Sequence, residues 1–366
     1  MKPVRVCCFC ERWESGGIES FLCNVLLHMD FSKLEVDIVA AQIQDSVFTQ
    51  PLKDQGIRFY ELSGRQNRVV ENHRLFRKLL AERRYDVVHL NIFHGLSLRY
   101  GRIARRAGVP VRIAHSHNTA LRKSQTRPLK LLVHRVSRAL FTRCATDLWA
   151  CSRPAAEFMF PRRELKSRAY RFIPNGIDTN RFRFDAEVRE KVRKDIGVQD
   201  KYVIGNIGRL CYQKNQSFLL DIFAEVLRRK PDSVLLLVGE GPDRPVLEEK
   251  AQRLGVAEKV IFYGTSDRVE RLLWAMDIFV MPSRFEGLPV TGVEAQASGV
   301  PCLFSDAVTE ECRIGSQTMF LSIKADPTYW AEALLKLHRS DYSLDDVSKE
   351  FEIQAVVANI LQEWTR

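Results

Sequence analysis

Nowhere in the 366 residues is there a run of about 18 apolar residues, so nothing in the chain reads as a membrane-spanning helix. The start, MKPVRVCCFCERWESGG, offers too short an apolar run for a signal peptide, and the expectation is a protein of the cytosol. Low-complexity tracts and internal repeats are missing as well. So are G-x-S-x-G, the Walker phosphate loop and H-E-x-x-H, which leaves hydrolase and nucleotidase readings without support.

Acidic residues are absent over a long stretch: from Val87 to Thr146 there is neither Asp nor Glu. The net charge of +11 is accordingly uneven. Up to Asp178 there are 31 Lys and Arg against 16 Asp and Glu, and beyond it 25 against 29, so the halves carry +15 and −4. Such a one-sided field favours an anionic partner, whether a lipid surface, a nucleic acid or a phosphorylated substrate. The nine cysteines are odd in number and scattered, which fits reduced thiols. Cys7 and Cys10 form a C-x-x-C inside an apolar strand, but no second pair completes a zinc site, and buried strand cysteines are expected.

What is present is an alternation of short β-branched runs with helical stretches, the pattern of an α/β protein with mostly parallel sheets. Strands are predicted at 4–10, 36–41, 58–62, 86–91, 111–117 and 148–152, then at 202–210, 233–241, 260–265, 277–283 and 301–305. The length exceeds what one core usually supports, and RFIPNGIDTNRF reads as the joint between two domains, 1–175 and 176–349. Two doubly wound domains in series would turn the carboxyl ends of their strands toward a shared crevice, where ligands of open sheets bind. The last segment, 350–366, reads as a terminal helix that fits either domain.

Candidate chemistry clusters at predicted strand ends. In SRFEGLPVTGVEAQASGVP the strand before Arg284 runs through a loop into a helix beginning near Leu288 or Pro289. The free N–H groups of that helix start suit an anion. Glu286 falls on the loop and Glu294 more than a turn into the helix, suited to ligand hydroxyls; a solvated loop carboxylate plus a surface helix residue is the plainer alternative. GRLCYQKN places Arg209 and Lys214 on another strand-to-helix loop, the expected receptors for a diphosphate. Gly16 and Gly17 let backbone approach a ligand closely, or form an ordinary tight turn. His117 ends a strand in AHSHN; His115 points the same way, but no third metal ligand has suitable spacing.

Together GGIE, HSHN, IPNGID, GRLCYQKN, LVGEGP and FEGLPVTGVEAQASGVP resemble the landmarks of glycosyltransferase family 4, retaining enzymes of the GT-B fold with two Rossmann-like domains. The resemblance is to bacterial members that build capsule, exopolysaccharide and other surface glycans. It implies transfer of a sugar from a nucleotide sugar, UDP-linked by family preponderance, to a glycan or lipid-linked acceptor, with retention and no metal cofactor. The lack of a D-x-D that would hold a divalent cation agrees. Site residues follow by position: Arg209 and Lys214 for the donor diphosphate, Gly287 to Pro289 for the sugar and phosphate, Glu294 for the ribose. Glu286 and His117 are then placed near the transferred sugar, and Gly16-Gly17 beside the diphosphate. The resemblance also returns the terminal helix 350–366 to the first, acceptor-side domain. One departure is Thr291-Gly292, where relatives commonly carry bulky aliphatics.

In 127–143, Leu129, Leu132, Val133, Val136 and Leu140 form one helical stripe opposite Arg127, Lys130, Arg135 and Arg138, and the stripe is expected to pack on the sheet. Leu131 and Phe141 project among the basic residues, a face suited to anionic lipid at the cytoplasmic leaflet. Two other functions compete: a GT-B epimerase, disfavoured by the E-x7-E and GRLCYQKN context, or a phosphorylase, for which no lysine placed for a pyridoxal cofactor is recognisable; and a nucleic-acid-binding protein, disfavoured by the lack of an RNA-binding motif.

Overall fold

A computed structural model describes residues 2–14, 16–121, 126–339 and 349–366. The chain divides into two units, Met1–Gly176 with Glu350–Arg366, and Ile177–Lys349.

The first unit holds β1 (Val4–Trp13), β2 (Leu34–Ile43), β3 (Arg58–Glu61), β4 (Val87–Ile92), β5 (Val111–Ser116), β6 (Asp147–Ala150) and β7 (Arg171–Phe172). They form one parallel sheet in the order β3-β2-β1-β4-β5-β6-β7. Val6 to Cys10 of β1 are fully buried, as a strand covered on both faces by crossover helices must be; hence its unbroken apolar run. The second unit holds β8 (Tyr202–Ile207), β9 (Ser233–Val238), β10 (Val260–Gly264), β11 (Ile278–Met281), β12 (Cys302–Ser305) and β13 (Thr318–Leu321), in the order β10-β9-β8-β11-β12-β13. All of these strands pair in parallel too. The two-residue β7 and the mixed TMFL of β13 escape sequence reading because neither is long enough to show a period.

Two strands end earlier than their patterns suggest. Gly208 and Gly239, just past β8 and β9, take φ of +155° and +131°, and a Cβ on Gly239 would lie 2.2 Å from the Gly208 carbonyl oxygen. The close approach of these turns requires glycine there and stops both strands. All nine cysteines are free thiols; eight, Cys7 and Cys10 among them, are buried.

The terminal helix, Ile353–Trp364, belongs to the first unit. Ile353, Val356, Ile360 and Trp364 lie in one core with Ile18, Phe21, Trp149 and the near face of β1. Glu363 at its end accepts from Arg171 of β7 at 2.6 Å.

The helix Arg127–Phe141 corrects the sequence reading. Its buried residues are His134 and Ser137, whereas the stripe expected to pack on the sheet is exposed: Leu129 63%, Leu132 58%, Val133 37%, Val136 48% and Leu140 48%. Polar contacts hold the other side down. His134 Nδ1 accepts from the Gly95 N–H at 2.8 Å and its Nε2 lies 3.1 Å from the Phe158 carbonyl. Arg138 donates to the Phe158 and Phe160 carbonyls. Burial holds the His134 imidazole neutral, its pKa down to about 4.

Candidate functional site

In the second sheet the strand order reverses between β8 and β11, neighbours that are distant in sequence. Loops leaving such strands flank the position where open α/β sheets bind ligands. Residues 208–215 and 282–289 are those loops, and hydrogen bonds latch them together. Asn215, held at φ 57°, donates its side-chain amide to the Pro282 carbonyl at 3.0 Å. The Arg284 N–H donates to the Gln213 carbonyl at 2.7 Å, and Gln213 Nε2 donates to the Phe285 carbonyl and to Glu286 Oε2 at 3.1 and 3.2 Å.

The latch brings two expected site residues into direct contact: Lys214 Nζ lies 2.9 Å from Glu286 Oε1. Arg209 is exposed on the same loop as Lys214, while Gly287, Leu288 and Pro289 are buried. The helix Val290–Ala297 starts one residue later than the proline pattern suggests, with Pro289 as its extended N-cap.

Glu294 lies on this helix and is 6% exposed. Among the described residues no hydrogen bond or ion pair is found for its carboxylate. Burial pushes its pKa up to about 7; Arg181 opposes the shift and Glu270 adds to it. Arg181 is itself engaged, its Nε and a terminal nitrogen reaching Glu270 Oε2 at 3.1 and 2.8 Å. A buried carboxylate left without donors is costly, and ligand hydroxyls are what would satisfy it. Gly292, in contrast, points into the interior. A Cβ there would meet Pro289, Cys312 and Phe304 at 3.0 to 3.3 Å, so its small size serves core packing.

In the first unit, Gly16 is the extended N-cap of the helix Gly17–Leu27. A Cβ on Gly16 would lie 2.7 Å from Glu19 Oε2, so this glycine makes room for a carboxylate that folds back over the helix start. Burial pushes Glu19 up to about 7.

His117 Nε2 pairs with Asn91 Oδ1 at 3.0 Å, and its ring packs against Phe21 and His115. His115 continues to His89 of β4 through a 3.1 Å contact between ring nitrogens. This third imidazole, invisible from spacing, does not complete a metal site: among the described residues no cluster of three ligands could hold an ion. Desolvation keeps the set neutral, with His89 and His117 each down to about 3 and His115 shifted the same way.

Sequence reasoning missed one constellation. The first sheet reverses between β1 and β4, and Glu11 of β1 meets His94, just past β4, at 3.0 Å. Ser97 Oγ and Gln66 Nε2 donate to the same carboxylate at 2.6 and 2.9 Å. Burial alone would raise Glu11, but His94 and these donors outweigh it and hold its pKa below the usual value. Burial works against a charged His94 as well, and Glu11 overcomes it, leaving the imidazole pKa raised. The signal available in the sequence was the charge interrupting the apolar run CCFC of β1.

Residues 16–176 match the family model described as glycosyl transferase 4-like domain, and 201–340 the one described as glycosyl transferases group 1. The chain is 34% identical over 330 residues to EpsF of Bacillus subtilis, assigned as a glycosyltransferase, covering 88% of this chain and 84% of that one. It is 28% identical over 245 residues to the UDP-Gal:alpha-D-GlcNAc-diphosphoundecaprenol alpha-1,3-galactosyltransferase of Escherichia coli, covering 66% and 62%. Among solved structures, Anabaena Alr3699/HepE in complex with UDP-glucose superposes with a TM-score of 0.80 at 21% identity, over 99% of both chains. Sucrose-phosphate synthase from Thermosynechococcus elongatus gives 0.77 at 17% identity, over 99% of this chain and 98% of that one. These likenesses establish the GT-B fold.

Proposed function

The chain belongs to the group 1 glycosyl transferases with a family 4-like amino-terminal domain, and from that premise we propose a retaining enzyme that moves a sugar from a UDP-sugar to a glycan or lipid-linked acceptor in surface polysaccharide synthesis. The observation that carries the donor half is Glu294, buried with no donor found among the described residues on a helix whose start suits a phosphate. A ribose presents vicinal hydroxyls to such a carboxylate. Relatives named for diphosphoundecaprenol acceptors and for polysaccharide synthesis support the acceptor half, and fold neighbours holding UDP or UDP-glucose support the nucleotide.

In this reading the bond from the sugar's anomeric carbon to the β-phosphate oxygen breaks while an acceptor hydroxyl oxygen bonds to the same face. The hydroxyl proton leaves with the phosphate. Negative charge grows on the diphosphate, and Arg209, Lys214 and the N–H groups following Pro289 stabilise it without a metal cofactor. Glu286 is assigned to the sugar, its carboxylate placed by Gln213 and Lys214. In the first unit His117 is assigned to the transferred sugar and Gly16-Gly17 to the diphosphate. Glu11 and His94 are assigned to the incoming hydroxyl, and the basic surface to an anionic membrane that carries the acceptor.

A panel of UDP- and GDP-sugars read by thermal shift and by slow donor hydrolysis tests the proposal. A UDP-sugar should raise Tm and be turned over, and Glu294→Ala and Arg209→Ala should lose both effects. Wild-type behaviour in these variants, or preference for GDP-sugars, overturns the assignment.

A further inference from the structure

His89 and Asn91 alternate along β4, and His115 and His117 do the same along and just past β5. Asn91 pairs with His115 across the two strands, so all four side chains leave one face of the first sheet. His89, Asn91 and His115 are fully buried, and so are Val88, Leu90 and Ile92 on the other face of β4. An apolar residue at 91 would be cheaper than an amide, because a buried polar group needs partners.

The surroundings of Asn91 decide which way its amide points. The carbonyl oxygens of Phe9 and His89 each lie 3.5 Å from its Nδ2. Turned over, the amide would set its oxygen against both carbonyls, with no donor between them. The oxygen therefore faces His117, whose Nε2 it meets at 3.0 Å. An amide oxygen only accepts, so Nε2 of His117 carries a proton. Desolvation keeps this imidazole neutral, which leaves Nδ1 with a lone pair and no proton. Among the described residues no hydrogen-bond partner is found for that nitrogen. Phe21 at 5.1 Å and His115 at 4.0 Å pack on the ring and fix its orientation.

We infer that Asn91 is a positioning residue that holds His117 in the Nε2–H tautomer, so that Nδ1 meets the transferred sugar as a hydrogen-bond acceptor and selects a sugar with a hydroxyl at that point. A neutral acceptor takes the proton of a hydroxyl. It gains nothing from a position where the hydroxyl is missing or replaced by fluorine, and it repels a carboxylate. The other tautomer would present a donor and reverse that preference. For its ligand the inference rests on the assignment of His117 to the sugar in the proposed function; the tautomer stands apart from it.

The test has two readouts on the full chain. Long-range 1H–15N correlation spectra of histidine-labelled protein at pH 7 report which ring nitrogen is protonated, and His117→Ala identifies the signals. Wild type should show a neutral His117 with its proton on Nε2; a proton on Nδ1, or an imidazolium, overturns the inference without any Asn91 variant having to fold. Asn91→Val should give a mixture of tautomers, whereas Asn91→Asp, which still offers an acceptor, should keep the Nε2 proton. A pure Nε2–H form in Asn91→Val would show that Asn91 does not set the tautomer. The second readout is affinity by calorimetry for UDP-sugars in which one hydroxyl at a time is replaced by fluorine. At one position the replacement should weaken binding to wild type by about 10- to 100-fold and make little difference in His117→Ala. Equal losses in both proteins at every position overturn the selection. A wild type that binds no UDP-sugar sinks the donor reading and the selection with it, while the spectra still decide the tautomer.

Discussion

Lys214 and Glu286 meet at 2.9 Å with side chains only 15% and 7% exposed. A pair this buried behaves unlike a surface salt bridge: its net stabilisation is small, but losing one partner strands the other's charge. The same contact holds the cation assigned to the diphosphate beside the carboxylate assigned to the sugar, between two loops that Gln213 and Asn215 tie together by hydrogen bonds.

Lys214→Ala should therefore cost about 3 kcal/mol of stability, and the double variant Lys214→Ala/Glu286→Gln should recover most of it. Donor turnover should fall by about 10²- to 10³-fold in both, because restoring electrical balance does not restore charge stabilisation of the leaving group. Denaturant unfolding and donor hydrolysis measured on the same preparations separate the two effects.

Glu294 gives the protein a pH dependence. Its carboxyl rises from 4.5 to about 7 in the folded state, so between those values the folded chain holds a proton that the unfolded chain has lost. Stability falls as pH climbs through this window, by about 3 kcal/mol in all, and levels off above it. Glu294→Gln should remove the fall and be more stable than the wild type at pH 8. Hydroxyls donate to the ionised form, so UDP should bind wild type more tightly as pH rises through 7, releasing protons that calorimetry in buffers of different ionisation enthalpy detects. A flat UDP affinity from pH 6 to 8 would contradict the ribose assignment.

The Glu11–His94 pair has the opposite signature on its glutamate side. His94, raised above 6.5, contributes stability that is complete below that value and is lost as pH rises through its folded pKa; Glu11, lowered below 4.5, contributes stability lost as pH falls through its own. The Tm difference between wild type and Glu11→Gln should peak between those two values. If the pair also positions the acceptor, Glu11→Gln should reduce transfer more than donor hydrolysis.

Gly292→Leu restores a bulky aliphatic but should destabilise by about 1–3 kcal/mol, because the space is already taken by Phe304, Cys312 and Pro289. Affinity for UDP should change little if the fold survives, which thermal shift would show.

Much of the architecture was legible because it is local. Parallel strands covered on both faces must be apolar throughout, so β1, β4, β8 and β9 stand out as runs. Glycines and Pro289 mark where strands stop and a helix begins, since φ/ψ restriction needs no partner to act. The positions of Arg209, Lys214 and Glu286 on strand-to-helix loops, and of Glu294 on the helix that follows, were legible in the same way. The ends of strands were less so: 202–210 and 233–241 were read too long because the clash between Gly208 and Gly239 is a contact between two turns.

The sequence by itself determined the α/β alternation, the joint near Gly176, the uneven charge and the loops that follow β8 and β11, all consequences of neighbouring residues acting over a few positions. Only the tertiary structure decided which side of the helix Arg127–Phe141 is buried, because His134 and Arg138 find backbone partners at Gly95, Phe158 and Phe160 that no helical period reveals. It likewise decided that Lys214 pairs with Glu286, that Glu11 finds His94, and that Gly292 fills a gap in the core. In each case the deciding interaction joins residues far apart in the chain, and its strength depends on burial that only the folded packing creates.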